Sequence, residues 1–173
     1  EHRDGFITRE DFAWLAGAGI NAVRIPLGHW IFGPPYPRHP KYGSNPHPYV
    51  EGGIEVLDRA LGWAEEFDLG VVLDLHAAPG CQNGFDNGGI MNVCEWHPRD
   101  EYVDHAVDVL ERIAQRYRTA PSLHGIEVLN EPRWDVPTPV LEAYYRRGYD
   151  GIRAHCPADR VAVVFHDGFR PHG

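Results

Sequence analysis

Apolar residues recur along this chain at two alternating periods. Runs of four to six mostly apolar residues (Asn21–Pro26, Val71–Leu75, Ile126–Leu129, Val161–Phe165) are separated by longer stretches with helical spacing. Glu55 to Phe67 places Val56, Leu57, Ala60, Leu61 and Ala64 on one stripe, and Gly70 follows as a stop. Asp100 to Tyr117 does the same with Val103, Ala106, Val107, Leu110, Ile113 and Ala114. Thr8-Arg9-Glu10-Asp11 has the form of a capping box and opens a helix carrying Phe12, Leu15 and Ala16, which ends near Gly17–Gly19. Thr138-Pro139 opens another, with Thr138 expected as N-cap and Leu141, Tyr144, Tyr145 and Ile152 on its buried face. Continuously apolar strands between amphipathic helices predict parallel strands covered on both faces, an α/β fold. Two architectures satisfy this, an open doubly wound sheet and a (β/α)8 barrel. Neither GxGxxG nor GxxxxGK[ST] is present, which weakens the nucleotide-binding open sheet.

Two connections are long, Leu27 to Gly53 and Ala77 to Arg99. Each exceeds the roughly 12–15 residues beyond which a loop is usually functional, and each follows a strand C-terminus, where α/β proteins place their sites. The first is rich in Pro and aromatics: Trp30, Phe32, Tyr36, Tyr42 and Tyr49. The second holds the polar, turn-forming run Gln82-Asn83-Gly84-Phe85-Asp86-Asn87-Gly88-Gly89.

Composition narrows the function classes. The chain has 173 residues, 43% of them hydrophobic, with a net charge of −9. The apolar content excludes disorder, and no run approaches the roughly 18 apolar residues of a spanning helix. The acidic balance argues against nucleic acid or an anionic membrane as partner. Cys81, Cys94 and Cys156 fit no zinc spacing; they are isolated thiols or at most one Cys81–Cys94 bridge.

Every predicted strand ends on a polar group: Arg24, His76, Asn130-Glu131 and His166-Asp167. Convergence of such termini on one rim is how barrel enzymes assemble catalytic groups. Glu131 follows an apolar strand and precedes Pro132. Beside a second carboxylate it would hold its proton more tightly, as a general acid requires; its bland alternative is a surface Glu at a strand end. Asn130 either bonds a substrate hydroxyl or caps the next turn. His76 has the alternative of a buried, backbone-satisfied histidine, and Arg24 that of a structural ion pair with a carboxylate that stays ionised. His29, Asp74, His76 and His166 fit no metal-ligand motif, and strand alternation is expected to turn Asp74 away from the neighbours of His76. No metal and no cofactor is expected.

At these residues the sequence resembles glycoside hydrolase family 5. The resemblance rests on Asn21-Ala22-Val23-Arg24-Ile25-Pro26-Leu27-Gly28, Asp74-Leu75-His76-Ala77-Ala78-Pro79-Gly80 and Leu129-Asn130-Glu131-Pro132. The run from His76 through Gln82–Gly89 is similar to the exo-1,3-β-glucanase branch, as are Phe6-Ile7-Thr8 with Asp11-Phe12, Ala60-Leu61-Gly62-Trp63-Ala64 and His166-Asp167-Gly168-Phe169. The resemblance implies a (β/α)8 barrel and retaining hydrolysis of β-glucosidic bonds. It makes Glu131 the acid/base, Asn130 the contact to the sugar 2-hydroxyl and Arg24 the support of the nucleophile's charge. It places His76 in the innermost sugar subsite and Phe85 as an entrance aromatic, with Asp86, Trp30, His166 and Phe169 as further substrate-binding candidates.

By motif order the four strands match the family's second to fifth βα units. No residue here is assigned as nucleophile. Residues 1–173 are therefore expected to be the central part of one catalytic barrel, truncated at both ends and inactive alone. Alternatives are another family 5 specificity (endo-β-1,4-glucanase or mannanase) or a non-catalytic glucan-binding remnant. The partner expected is a β-glucan or oligosaccharide, the whole enzyme monomeric and secreted or at the cell surface. Alone, a sheet with two open edges is expected to be poorly soluble or partly molten.

Overall fold

The computed structural model describes residues 2–37, 49–50 and 53–170; Tyr42 lies outside them. Its elements are α1 (His2–Gly5), α2 (Arg9–Gly17), β1 (Ala22–Gly28), α3 (Gly53–Glu66), β2 (Gly70–Ala77), a 3-10 turn (Asp86–Gly88), α4 (Asp100–Tyr117), β3 (Leu123–Glu127), α5 (Thr138–Arg153) and β4 (Ala162–Val164). The strands form one four-stranded sheet in the order β1-β2-β3-β4, and every pair is parallel. Consecutive parallel strands with α3, α4 and α5 in the crossovers are the repeating geometry of part of a (β/α)8 barrel.

Local chemistry accounts for the helices. The Thr8 N–H and Oγ1–H donate to Asp11 Oδ2 at 2.8 and 3.0 Å, the capping box that starts α2. Helix α4 buries Tyr102, Val103, Ala106, Val109, Leu110, Ile113, Ala114 and Tyr117 on one face. Its end is tied to α3: the Arg116 guanidinium and the Tyr117 hydroxyl both donate to Asp58. Helix α5 packs close because Gly148 is small; a Cβ there would lie 2.9 Å from Val128 Cγ1 and 3.1 Å from Leu110 Cδ1. A groove of about 600 Å³ runs beside β1, lined by Phe6, Phe12, Leu15, Val23, Ile25 and Trp63 among others.

Several expectations are corrected. Strand β3 is Leu123–Glu127 rather than Ile126–Leu129; polar His124 and small Gly125 hide its start from an apolar pattern. Val128 still donates its N–H to Val164 O at 3.0 Å, so the chain stays alongside β4 after the ladder ends. Strand β4 is likewise only three residues long. Pro137, not Thr138, is the N-cap of α5; Thr138 is already helical and its Oγ1 accepts from Arg170 Nη1 at 2.8 Å. Tyr145 is only half-buried, its hydroxyl donating to His166 O at 2.5 Å. Arg24 lies in the middle of β1, which runs on through Pro26; at a sheet edge the missing N–H is tolerated. Cys81, Cys94 and Cys156 are all free thiols.

Beyond β1 the chain folds back over the sheet, with the His29 N–H donating to Ala77 O at 2.9 Å. The His29 ring is 4% exposed, edge-on to Trp30, Tyr36, Tyr49 and His105. His105 Nε2 donates to His29 O at 3.2 Å, so α4 supports this turn. Burial, with the His105 charge as a smaller second cause, pushes His29 down to about 3. The unfolded chain takes up this proton below about pH 6.5, the folded chain only near pH 3. The contribution to stability is therefore complete above about pH 6.5 and is lost as pH falls through that window. We expect His29→Phe to flatten the acid side of the stability–pH curve measured by denaturant unfolding; an unchanged slope would refute this.

Candidate active site

The polar groups gather at the C-terminal end of the sheet. Asp74 on β2 is paired in register with Glu127 on β3, so two carboxylates stand side by side on one face. Arg24 on β1 reaches across both. Its Nε donates to Glu127 Oε2 at 2.7 Å and its Nη2 to Glu127 Oε1 at 3.1 Å. The same Nη2 lies 2.9 Å from Asp74 Oδ2 and donates to Asn130 Oδ1 at 2.8 Å. Asp74 Oδ2 also accepts from His76 Nδ1 at 2.6 Å, which leaves Nε2 as the ring's outward atom.

Strand alternation was expected to turn Asp74 away from the neighbours of His76; instead Asp74 meets both His76 and Arg24. Residues two apart on a strand share a face, so Asp74 and His76 point the same way. Asp74 is fully buried. Burial is the main cause that pushes its carboxyl up to about 6; the His76 bond opposes the rise, the Glu127 charge adds to it and the Arg24 charge opposes it.

Gln82 sets where the next loop begins. Its side chain is fully buried; Nε2 donates to His76 O at 2.8 Å and to Asn130 O at 2.9 Å, and Oε1 accepts from Ala78 N at 3.1 Å. One amide thus joins the exit of β2 to the exit of β3. The loop itself is tight: a Cβ on Gly88 would lie 2.3 Å from Cys81 Sγ.

Glu131 has φ 44°, a left-handed backbone rare for a side chain of this kind. Such strain, about 1–3 kcal/mol, persists where the surroundings over-determine it, and it clusters at functional sites. Here Gln82 holds Asn130 on one side and buried Pro132 follows on the other. The half-buried carboxylate accepts from Asn87 Nδ2 at 3.2 Å through Oε2, and its charge acts on Arg24.

The remaining candidates line the rim. Phe85 is 51% exposed and precedes the 3-10 turn, which Asp86 opens by accepting the Asn87 N–H at 2.9 Å. Trp30 stacks on Tyr49 with ring centroids 4.1 Å apart and sits against Gly89, at the end of that turn. Beyond β4, His166 Nδ1 accepts the Gly168 N–H at 2.9 Å, and the exposed Phe169 ring stands 4.7 Å from the His166 ring. Gly168 packs beside Pro132 O, so this loop flanks Glu131.

The structure thus joins Arg24, His76 and Asn130 in one network and links Glu131 to the Phe85–Asp86 loop through Asn87. Three members were not singled out from sequence: Glu127, Asn87 and, except as a metal candidate, Asp74. The signal for Glu127 was a charge inside an otherwise apolar strand.

A family model described as Cellulase (glycosyl hydrolase family 5) matches residues 3–168. The chain is 40% identical over 174 residues to a protein of Emericella nidulans named Probable glucan 1,3-beta-glucosidase A, covering 98% of this chain and 40% of that one. It is 38% identical over 175 residues to a glucan 1,3-beta-glucosidase of Pichia angusta, covering 99% and 38%. It therefore spans about two fifths of the length of these relatives. A crystal structure of rutinosidase from Aspergillus niger superposes with a TM-score of 0.80 at 20% identity, covering 96% of this chain and 49% of that one, a likeness of fold.

Replacing Arg24 by Met removes a charge that holds the Asp74 carboxyl down. We expect Arg24→Met to lift Asp74 above about 6 in a carboxyl 13C titration. An unmoved or lower midpoint would contradict the electrostatic role given to Arg24.

Proposed function

This chain belongs to glycosyl hydrolase family 5, and on that premise we propose that it is the central part of a retaining β-glucan hydrolase barrel, an exo-acting 1,3-β-glucosidase. The observation that carries the reading is Glu131, strained and held between Asn87 and the Arg24–Asn130 network. The relatives named glucan 1,3-beta-glucosidase support the choice of linkage.

Glu131 would protonate the glycosidic oxygen as the bond to the anomeric carbon breaks. A second carboxylate, on a strand outside residues 1–173, would attack that carbon and form a glycosyl-enzyme. Glu131, now ionised, would take a proton from the water that releases the sugar. Asn130 would bond the sugar 2-hydroxyl and His76 Nε2 would face the innermost sugar. Phe85 would stack a sugar at the entrance, with Trp30, Asp86, His166 and Phe169 around the pocket. The Gln82–Gly89 loop would close one end of the cleft, which favours release of single glucose units. The whole enzyme would act as a monomer outside the cell or at its surface, where a β-glucan substrate would meet it. Among the described residues no helix is long and apolar enough to cross a membrane.

In the complete enzyme, Glu131→Gln should lower turnover on laminarin by about 10²–10⁴-fold, the usual weight of general acid–base catalysis, with binding kept. On β-glucosyl fluoride, whose leaving group needs little acid help, added azide should restore turnover and yield β-glucosyl azide, since azide needs no base. The unmutated enzyme should release glucose from laminarin and none from cellulose. Normal turnover by Glu131→Gln would end the assignment of the acid, and glucose from cellulose that of the linkage.

A further inference from the structure

Trp134 stands three residues beyond Glu131 on the same loop and is 70% exposed. The described residues of the loops after β2 and β4, its neighbours on either side in the sheet, leave the ring uncovered. Other strongly exposed aromatics, Trp14 and Phe6, belong to the N-terminal segment and not to this rim.

The backbone under Trp134 is braced. The Arg133 N–H donates to Gln82 O at 3.1 Å, and the Val136 N–H donates to Arg133 O at 3.0 Å, closing a turn. Val136 is buried and anchors the far side. Arg133 and Asp135 grip each other through two hydrogen bonds of 2.5 and 2.9 Å. The guanidinium holds the Asp135 carboxyl below the usual range. With Arg133 and Asp135 committed to each other and Val136 to the core, Trp134 is the large apolar side chain of this turn that faces solvent. A wide, rigid, apolar ring with two side-chain torsions binds at little entropic cost. Left in water it is unfavourable, and the apolar face of a pyranose is a surface that would cover it.

We infer that Trp134 is a platform for a glucosyl unit on the leaving-group side of the cleaved bond. The inference rests on the proposed glucanase reading. A general acid stands on the leaving-group side, because its proton goes to the departing oxygen. An aromatic on the acid's own loop therefore addresses the leaving chain and not the sugar undergoing substitution. Trp134 would set a preference for longer β-1,3-glucan chains while leaving the chemistry at the anomeric carbon untouched.

The test compares Trp134→Ala and Trp134→Phe in the complete enzyme on laminaritetraose and on β-glucosyl fluoride, whose leaving group is one atom. For Trp134→Ala we expect kcat/KM on laminaritetraose to fall about tenfold, mainly through KM, the scale for one uncovered aromatic face. The fluoride value should stay within about twofold, since no leaving sugar is present to use the platform. Trp134→Phe, which keeps a flat ring, should recover most of the loss. Equal losses on both substrates would make Trp134 a structural residue and overturn the inference, as would no loss on either. If the unmutated enzyme cleaves neither substrate, the glucanase reading itself fails and this inference with it. Activity without chain-length discrimination by Trp134 removes the platform alone.

Discussion

The polar end of this sheet depends on one guanidinium. Asp74 and Glu127 are register partners on adjacent strands, and as ionised neighbours they would repel. Arg24 lies against both and against the Asn130 amide, so β2, β3 and the segment just beyond β3 close on a single cation. Its planar fork matches this arrangement in a way that a lysine ammonium would not. Asp74 and Glu127 are buried while the Arg24 side chain stays 42% exposed, so water screens part of the cost of removing it, and the carboxylates would be left without their partner. The cluster is therefore better understood as fixing one arrangement of strand ends than as a source of stability.

From that node the geometry propagates along the backbone. Asn130 is oriented by Arg24 through its side chain, by Gln82 through its carbonyl and by Leu75 O through its N–H, the last at 3.0 Å. With three constraints on residue 130 and buried Pro132 at the other side, residue 131 has little choice of conformation. The left-handed φ of Glu131 is what remains, and it aims the carboxylate toward Asn87 and the loop that carries Phe85.

The sequence made the helices and the strand order legible because both rest on periodic burial, which is local. Helix α4 runs from Asp100 to Tyr117 as its apolar stripe requires, and the Thr8–Asp11 box forms. Strand limits were less legible. Leu123 and Gly125 pair with Val71 and Val72 of β2 across a register shift that leaves His124 without a register partner, and two of these three residues carry no apolar signal. The motif residues Arg24, His76, Asn130 and Glu131 were visible as polar groups in apolar surroundings. Their partners were not. Glu127 and Asn87 matter through contacts at sequence separations of 103 and 44, which no periodicity encodes. Asp74 needed only the period of two along β2 to be placed beside His76.

The rim divides into two kinds of residue, and under the proposed function the division bears on catalysis. Arg24, Asp74, His76, Glu127 and Asn130 are cross-linked to one another, so the fold alone sets their dipoles and charges. Such preorganised groups act in a transition state without the cost of reorienting. Phe85, Phe169 and Trp134 are more than half exposed and lie on loops just beyond the strand ends. They offer area instead of directed charge, and area is gained in ground state and transition state alike. Under the proposed function, substitution in the first group would act on turnover, and substitution in the second on which chain is held. A barrel fold permits this separation because strand ends and loop tips come from the same βα units yet bear different loads.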